Sequence, residues 1–418
     1  MEKRDPAWRV DPDRIRTDWE TLATFVDPSR PGHTRRAFSP QDRAARRWVA
    51  RRMEEAGLAV TVDAAGNVWG LRPGTRDGPK LVTGSHTDTV DGGGRFDGIA
   101  GVLAALEVAR VLDEAGVRLR LPLAVVDFVA EEPSPFGLSC VGSRAVSGHL
   151  AVEHLSLRDD AGRTLGEAIA QLGGDPARLA SARLGPDDVA AFVELHVEQG
   201  PYLERAGARV GVVTGIVGID RYDVEILGER GHSGTLPMSD RHDAAVAAAR
   251  LVLDLMAEAA RHPGAVVCTA GRWQVAPGAY NVVPGEARVG VEWRALDPTV
   301  SDAMEEALAL ALRALEGQGY RAEARRVSRE APVPLSPAVQ DILLAAARDL
   351  GHDAPRLASW AGHDTVQMAH VTERVGMLFV PSRGGLSHSP EEWSEIADVA
   401  EGARCLAQAI VRLDGSLA

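Results

Sequence analysis

Residues 122–130 (PLAVVDFVA) are apolar except for Asp127, and they run straight into Glu131 and Glu132. A strand without polar alternation cannot have one face in water. It suits a sheet covered on both faces, as in mostly parallel sheets flanked by helices. Other strand-like runs share its second feature, a candidate ligand at the end. Residues 80–83 open the stretch 81–101 (LVTGSHTDTVDGGGRFDGIAG), which carries His86 and Asp88. Residues 189–195 lead into His196, and residues 377–380 into PSRGGLSHSPEEW with His388. Sites in open α/β sheets form beyond the carboxyl ends of strands, so one rim is expected to gather these residues. Within 81–101 the strand is expected to break at Gly84. His86 and Asp88 then sit on a loop, and Asp97 at the mouth of a helix.

The order of the remaining elements gives the domain plan. Residues 39–57 predict a helix, with Ser39 as cap, Pro40 in the first turn and Gly57 as stop. Strands follow at 59–63 and 67–71. A helix at 97–115 places Ile99, Val102, Leu103 and Leu106 on one stripe. Residues 166–172 predict a helix and 173–186 a loop. After about Gly211 the pattern changes to strands at 212–227, 264–273, 288–295 and 322–327, with helices at 241–260 and 302–317. That order suits an inserted α+β sandwich. Pro332 and Pro334 mark the return, followed by helices at 336–351 and 395–413. The expected class is therefore α/β. A mixed, mostly parallel sheet flanked by helices is formed by residues 1–211 and 332–418, with a smaller α+β sandwich at 212–331. The sequence holds no internal repeat.

Charge narrows the partners. The 418 residues carry a net charge of −13, which disfavours nucleic acid and anionic membrane, since both require a basic face. An anionic small substrate would need a local arginine. The beginning, MEKRDPAWRV, lacks the apolar core of a secretory signal. The most apolar helix is interrupted by Arg250, Asp254 and Glu258, so no membrane span is expected. Cys140, Cys268 and Cys405 lie far apart without zinc-finger spacing and read as thiols in a reducing, cytoplasmic compartment.

Two histidines with one carboxylate could hold one metal ion, and a carboxylate with a histidine a second, one carboxylate bridging both. Such paired sites, roughly 3.5–4 Å apart, clamp and activate one water. Imidazole with carboxylate suits Zn²⁺, and Mn²⁺, Co²⁺ or Ni²⁺ also fit. If Glu131 and Glu132 extend the strand they point to opposite sides. One can then bind metal while the other remains a general base.

The segments GSHTDTVDGGGRFDG, DFVAEE, GSRAVSG, ELHVEQGPYLE, GHSGTLPM, YNVVPGEA, AGHDT and FVPSRGGLSHSPEEW occur in an order that resembles the metal-dependent N-carbamoyl-L-amino-acid amidohydrolases. Allantoate amidohydrolases and β-ureidopropionases belong to the same group, within the zinc aminoacylase and carboxypeptidase superfamily. The likeness runs from about Ser39 to the C-terminus. It implies a di-zinc exopeptidase-like catalytic domain, an inserted lid and dimerisation domain, two divalent metal ions per subunit, and a homodimer. His86, Asp97 and His196 would bind one ion, and Asp97, Glu132 and His388 the other. Asp88 would accept a bond from the His86 ring and fix its orientation. Glu131 would move the proton from the attacking water to the leaving nitrogen. His232 would stabilise the oxyanion. Gln199, Asn281, Arg294, Gly362 and His363 would hold the substrate, Arg294 through its planar fork on a carboxylate.

Two departures bear on the pocket. EEPSPFGLSC stands where many relatives carry Gly-Ser-Arg-Phe, so Pro133 and Pro135 stiffen that loop and an arginine is missing. Trp360 stands where a small glycine is common before AGHD. The expected reaction is hydrolysis of the carbamoyl C–N bond of an N-carbamoyl-L-amino acid. Allantoate or a β-ureido acid are alternative substrates. A dipeptidase or aminoacylase, or a metal-binding protein without catalysis, fit the motifs less well.

Overall fold

In the computed structural model, which describes residues 8–417, the first element among them is a helix that the sequence pattern did not announce. α1 (Pro12–Leu22) is capped by Asp11 and buries Ile15, Trp19 and Leu22. Most of the N-terminal segment read above for a secretory signal, residues 1–7, lies outside the described residues. α2 (Pro40–Glu55) starts where Ser39 accepts the Asp42 N–H. β1 (Ala59–Val62), β2 (Val68–Arg72), β3 (Lys80–His86), α3 (Ile99–Glu114) and β4 (Leu123–Phe128) follow. Next come α4 (Val141–Ser147), α5 (Leu165–Gln171), β5 (Val189–Val197), α6 (Tyr202–Ala206) and β6 (Gly211–Ile216). β7 (Gly218–Leu227), β8 (Gly231–His232), α7 (Ala244–Ala260), β9 (Val266–Ala276), β10 (Val282–Val283), β11 (Glu286–Ala295), α8 (Pro298–Gly317) and β12 (Arg321–Glu330) form the middle of the chain. It ends with β13 (Val333–Pro334), α9 (Pro337–Asp349), β14 (Arg356–Ser359), α10 (Asp364–Met368), β15 (Val375–Val380) and α11 (Ile396–Ser416).

Two units result, one of the residues up to Thr214 together with those from Leu335, the other of Gly215–Pro334. The first is built on a mixed sheet in the order β1-β2-β4-β3-β5-β15-β6, with β14 joined to β6. Its centre, β4-β3-β5-β15, is parallel. β1 and β2 on one side, and β6 on the other, pair antiparallel. The four central strands therefore end at one edge. They are buried along most of their length, as apolar runs require. Leu81, Val125, Val193, Leu195 and Leu378 share a cluster with residues of α1, α2, α3, α9 and α11. Asp127, the polar break in residues 122–130, is fully buried and paired with Arg46 at 3.1 Å.

The second unit is an antiparallel sheet, β12-β7-β11-β9. Alternating residues Val224, Ile226, Val289, Val291 and Trp293 pack against Leu251 and Leu255 of α7 and Met304 and Leu308 of α8. β8 and β10 make a separate two-stranded ladder.

Several expectations are corrected. β3 does not break at Gly84 but continues to His86. Gly84 is needed because a Cβ there would lie 2.0 Å from the Val126 carbonyl oxygen of β4. β5 includes His196 instead of stopping before it. The Glu pair does not extend β4: that strand stops at Phe128, and Ala130 has φ 51°. A short 3₁₀ segment, Pro176–Ala182, lies in the expected loop. The chain divides at 214/215 and 334/335, a few residues later than the boundaries read from the sequence; at the first, β6 begins by pairing with β15.

Gly84→Ala is expected to lower the urea midpoint by the equivalent of about 3 kcal/mol, the upper range for overpacking, because the obstructing atom is backbone. An unchanged midpoint would show that β3 and β4 separate at no cost.

Candidate metal centre

His86 ends β3 with its side chain buried. Its Nδ1 lies 3.1 Å from the Asp88 backbone oxygen and 3.5 Å from Asp88 Oδ1. A ring nitrogen between acceptors carries the proton, which leaves Nε2 with a free lone pair. Nε2 points to Asp97 Oδ1 at 3.7 Å and Glu131 Oε2 at 3.6 Å. His196 of β5 repeats the arrangement. Its Nδ1 is 2.9 Å from the Val197 oxygen, its Nε2 3.1 Å from Asp97 Oδ1, and the Gly98 N–H donates to Nε2 at 3.2 Å. Gly98, with φ 65°, has no room for a side chain: a Cβ would fall 2.4 Å from the His86 ring.

The other oxygen of Asp97 faces a different group. His388 Nε2 lies 3.2 Å from Asp97 Oδ2 and 3.3 Å from Glu132 Oε1. Two sets of ligand-type atoms thus meet at one carboxylate, His86–Asp97–His196 and Asp97–Glu132–His388, each within 4.8 Å. A third set, Glu194–His196–His363, is close enough as well. However, the Glu194 oxygens are bonded by Ser85 and Thr365, and His363 Nε2 lies 2.7 Å from Ser359 Oγ.

Glu131 and Glu132 reach different histidines because of a turn, not because of strand alternation. Their backbone N–H groups donate to Asp88 Oδ1 and Oδ2, each at 3.2 Å. Asp88 therefore holds the Glu pair as well as the His86 ring, which the sequence did not reveal. Burial pushes the Glu131 carboxyl well above the usual range, with the charges of Glu132, Asp364 and Asp97 adding and that of His86 opposing. Burial also pushes up Asp97, but the His196 and His388 rings beside it outweigh that effect and hold the carboxyl well below its ordinary value. Burial and the neighbouring His196 hold His363 neutral, far below the usual imidazole range.

These donors fit a pair of divalent cations. Imidazole Nε2 and carboxylate oxygen are borderline and hard ligands of the kind zinc, manganese or cobalt accept. Three buried carboxylates at close quarters need positive charge among them.

Of the expected substrate residues, His363 lies against His196, with ring centroids 4.5 Å apart. Space is open at Gly362. Gln199, with φ 58°, turns its amide toward Asp97 Oδ2 at 2.9 Å and Ser387 Oγ at 3.2 Å. Its Oε1 is buried without a partner among the described residues. His232, Asn281 and Arg294 belong to the second unit. There, His232 Nδ1 accepts from Gly234 and Thr235, which leaves its proton on an exposed Nε2. The Asn281 carbonyl accepts the Ser233 N–H at 3.1 Å, beside the β8–β10 ladder. Arg294 Nε pairs with Glu292 at 2.8 Å. The Pro133/Pro135 loop is anchored by Phe136, packed edge-on against Phe38, and Trp360 is half-buried. Sequence reasoning passed over Cys140, whose Sγ lies 3.6 Å from Glu131 Oε1, and Ser387 and Glu392, discussed below. The last two stood inside the SHSPEEW segment, but nothing local distinguished them from solvated loop residues.

Residues 82–412 match the family model described as Peptidase family M20/M25/M40. The chain is 41% identical over 384 residues, 91% of its length and 93% of the relative's, to an N-carbamoyl-L-amino acid amidohydrolase of Geobacillus stearothermophilus. It is 35% identical over 413 residues, 97% of its length and 85% of the relative's, to a ureidoglycolate hydrolase of Oryza sativa subsp. japonica. The crystal structure of an amidase of the hydantoinase/carbamoylase family from Burkholderia multivorans superposes with a TM-score of 0.91 at 33% identity, covering 98% of this chain and 99% of that one.

Gly98→Ala is expected to weaken metal binding by about 10–100-fold, the usual effect of disturbing a ligand's support. Titration with Mn²⁺ or Zn²⁺ reads it, with circular dichroism to check that the fold is kept. Wild-type affinity in the variant would remove His86 from the site.

Proposed function

The chain belongs to peptidase family M20/M25/M40, an amidohydrolase acting on non-peptide C–N bonds, and on that premise we propose that it cleaves N-carbamoyl-L-amino acids. Enzymes of this family use divalent metal ions. In this proposal His86, Asp97 and His196 hold one ion and Asp97, Glu132 and His388 the second, Zn²⁺ or alternatively Mn²⁺, Co²⁺ or Ni²⁺. Such ions supply Lewis acidity and a nucleophile at neutral pH.

The chain's own residues do the rest. Glu131 takes a proton from the attacking water and gives it to the amino-acid nitrogen as the C–N bond breaks. Its carboxyl, held well above the usual carboxylate range by burial, suits it to both steps. The carbamic acid released then falls apart to carbon dioxide and ammonia. The orphaned Oε1 of Gln199 is an acceptor for a ureido N–H. His232 offers its Nε2 proton to the oxyanion, and Asn281 and Arg294 grip the substrate carboxylate. Gly362 and His363 complete the set of substrate residues. The larger unit is catalytic, and the inserted one is a lid that also pairs two copies as a homodimer. The three cysteines, none of them in a disulfide, accord with a cytoplasmic location. Among the described residues, no helix is long and apolar enough to cross a membrane.

The observation that carries this reading is Glu131: a buried carboxylate beside two metal-type groups yet outside both, in a chain whose curated relatives include several named as N-carbamoyl-L-amino acid amidohydrolases. A second reading, ureidoglycolate or allantoate as substrate, is favoured by the plant relatives. A panel of ureido compounds assayed for ammonia with Mn²⁺ or Zn²⁺ separates the two. Release only from allantoate or ureidoglycolate would overturn the first reading. Glu131→Gln is expected to lower kcat by about 10²–10⁴-fold, the range for a general base, while retaining its metal. Arg294→Lys, which loses a bidentate fork, is expected to raise KM at least about tenfold with kcat little changed. An unchanged KM would confine Arg294 to its pairing with Glu292.

A further inference from the structure

Glu392 lies four residues after His388 and is 1% exposed. A carboxylate that deep must be compensated, and its two oxygens are bonded in different directions. Oε1 accepts the backbone N–H groups of Phe96 at 2.8 Å and Asp97 at 3.0 Å. Oε2 accepts the Ser387 hydroxyl at 2.8 Å. Ser387 precedes His388 and also meets the Gln199 amide at 3.2 Å. One side chain therefore joins the backbone of Asp97 to the loop that carries His388, across 295 residues of sequence.

Two further observations agree. Gly94, last of the glycine run before Asp97, leaves the space that Glu392 fills: a Cβ there would lie 2.2 Å from the Glu392 carboxyl carbon. Next in the chain, Trp393 packs edge-on against Phe96 and Trp19, with centroids 5.4 and 5.5 Å apart. The His388 loop is thus pressed onto the Asp97 segment from both sides of Glu392. His388 needs that support, since its side chain is 51% exposed and its backbone is left-handed at φ 53°.

We propose that Glu392 is the positioning residue of the second cation: by binding the Asp97 backbone and the Ser387 hydroxyl together, it sets the span between Asp97 Oδ2 and His388 Nε2. It touches neither substrate nor metal. The inference rests on the assignment of Asp97 and His388 as ligands, and it does not depend on which substrate is cleaved.

The test is metal stoichiometry and affinity, by titration calorimetry with Mn²⁺ and by elemental analysis after dialysis, on the full chain. Glu392→Ala is expected to keep one tightly bound ion and to bind the other about 10–100-fold more weakly. With the substrate identified by the panel, its kcat should fall by a similar factor while KM stays within about threefold. Glu392→Gln keeps one acceptor for the two N–H groups and an amide that Ser387 Oγ can accept, so it should restore both ions. Ser387→Ala removes one arm and should weaken only the second ion, even if Glu392→Ala does not fold. Two ions held equally tightly in Glu392→Ala, or in Ser387→Ala, would overturn the proposal. So would a Glu392→Gln variant as impaired as Glu392→Ala. Fewer than two ions in the wild type would overturn it together with the ligand assignment. Two ions but no ureide hydrolysis would overturn only the substrate reading.

Discussion

Asp97 is a buried carboxylate with an imidazole group on each side, and much of the first unit serves to keep it there. Oδ1 faces His86 and His196 on neighbouring parallel strands, while Oδ2 faces His388 from a loop near the other end of the chain. An isolated buried charge would cost several kcal/mol. The surrounding histidines offset part of that cost, and cations would offset more. Backbone supports the same residue: its N–H is taken by Glu392, and α3 begins two residues later.

Beneath the centre lies a buried polar layer of structural use. Asp127 pairs with Arg46 and accepts from Thr87, two residues before Thr89, whose hydroxyl receives the Arg35 N–H. Arg35, fully buried, donates to the carbonyls of Thr87, Leu22 and Phe25. These groups pin the segment that follows His86 to α1 and β4. The histidine is therefore held from behind while its Nε2 remains available. The same logic explains Asp88, whose carboxylate fixes the turn bearing Glu131 and Glu132 instead of serving the imidazole alone.

The second unit presents different chemistry. Its helices bury one face of the sheet, and on the other Asp223 pairs with Arg272 and Arg325, and Glu225 with Arg288. His232 and Asn281 lie at the small β8–β10 ladder, which sets them side by side independently of the main sheet. Arg294 is held by Glu292, which also pairs with Arg221. Such a pairing orients a guanidinium at modest cost, because the groups remain partly exposed.

The sequence alone determined the layered plan. Apolar runs without alternation require a sheet covered on both faces, so the central strands, their shared edge and the inserted sandwich were legible from hydrophobic period and element order. It also determined which residues stand at that edge, since His86, His196 and the Glu pair end their runs. The exceptions were local. β3 passes through Gly84 because β4 comes too close for a side chain, and the Glu pair leaves the strand at Ala130, where alternation no longer applies. α1 carried no clear signal because its apolar face is short and interrupted by charge. Only the tertiary structure decided that Glu392 and Ser387, hundreds of residues from Asp97, fix its position, and that the Gln199 amide turns to that carboxylate. Hydrogen bonds between remote segments leave no period or spacing in a chain. They exist only once the strands have set the segments side by side.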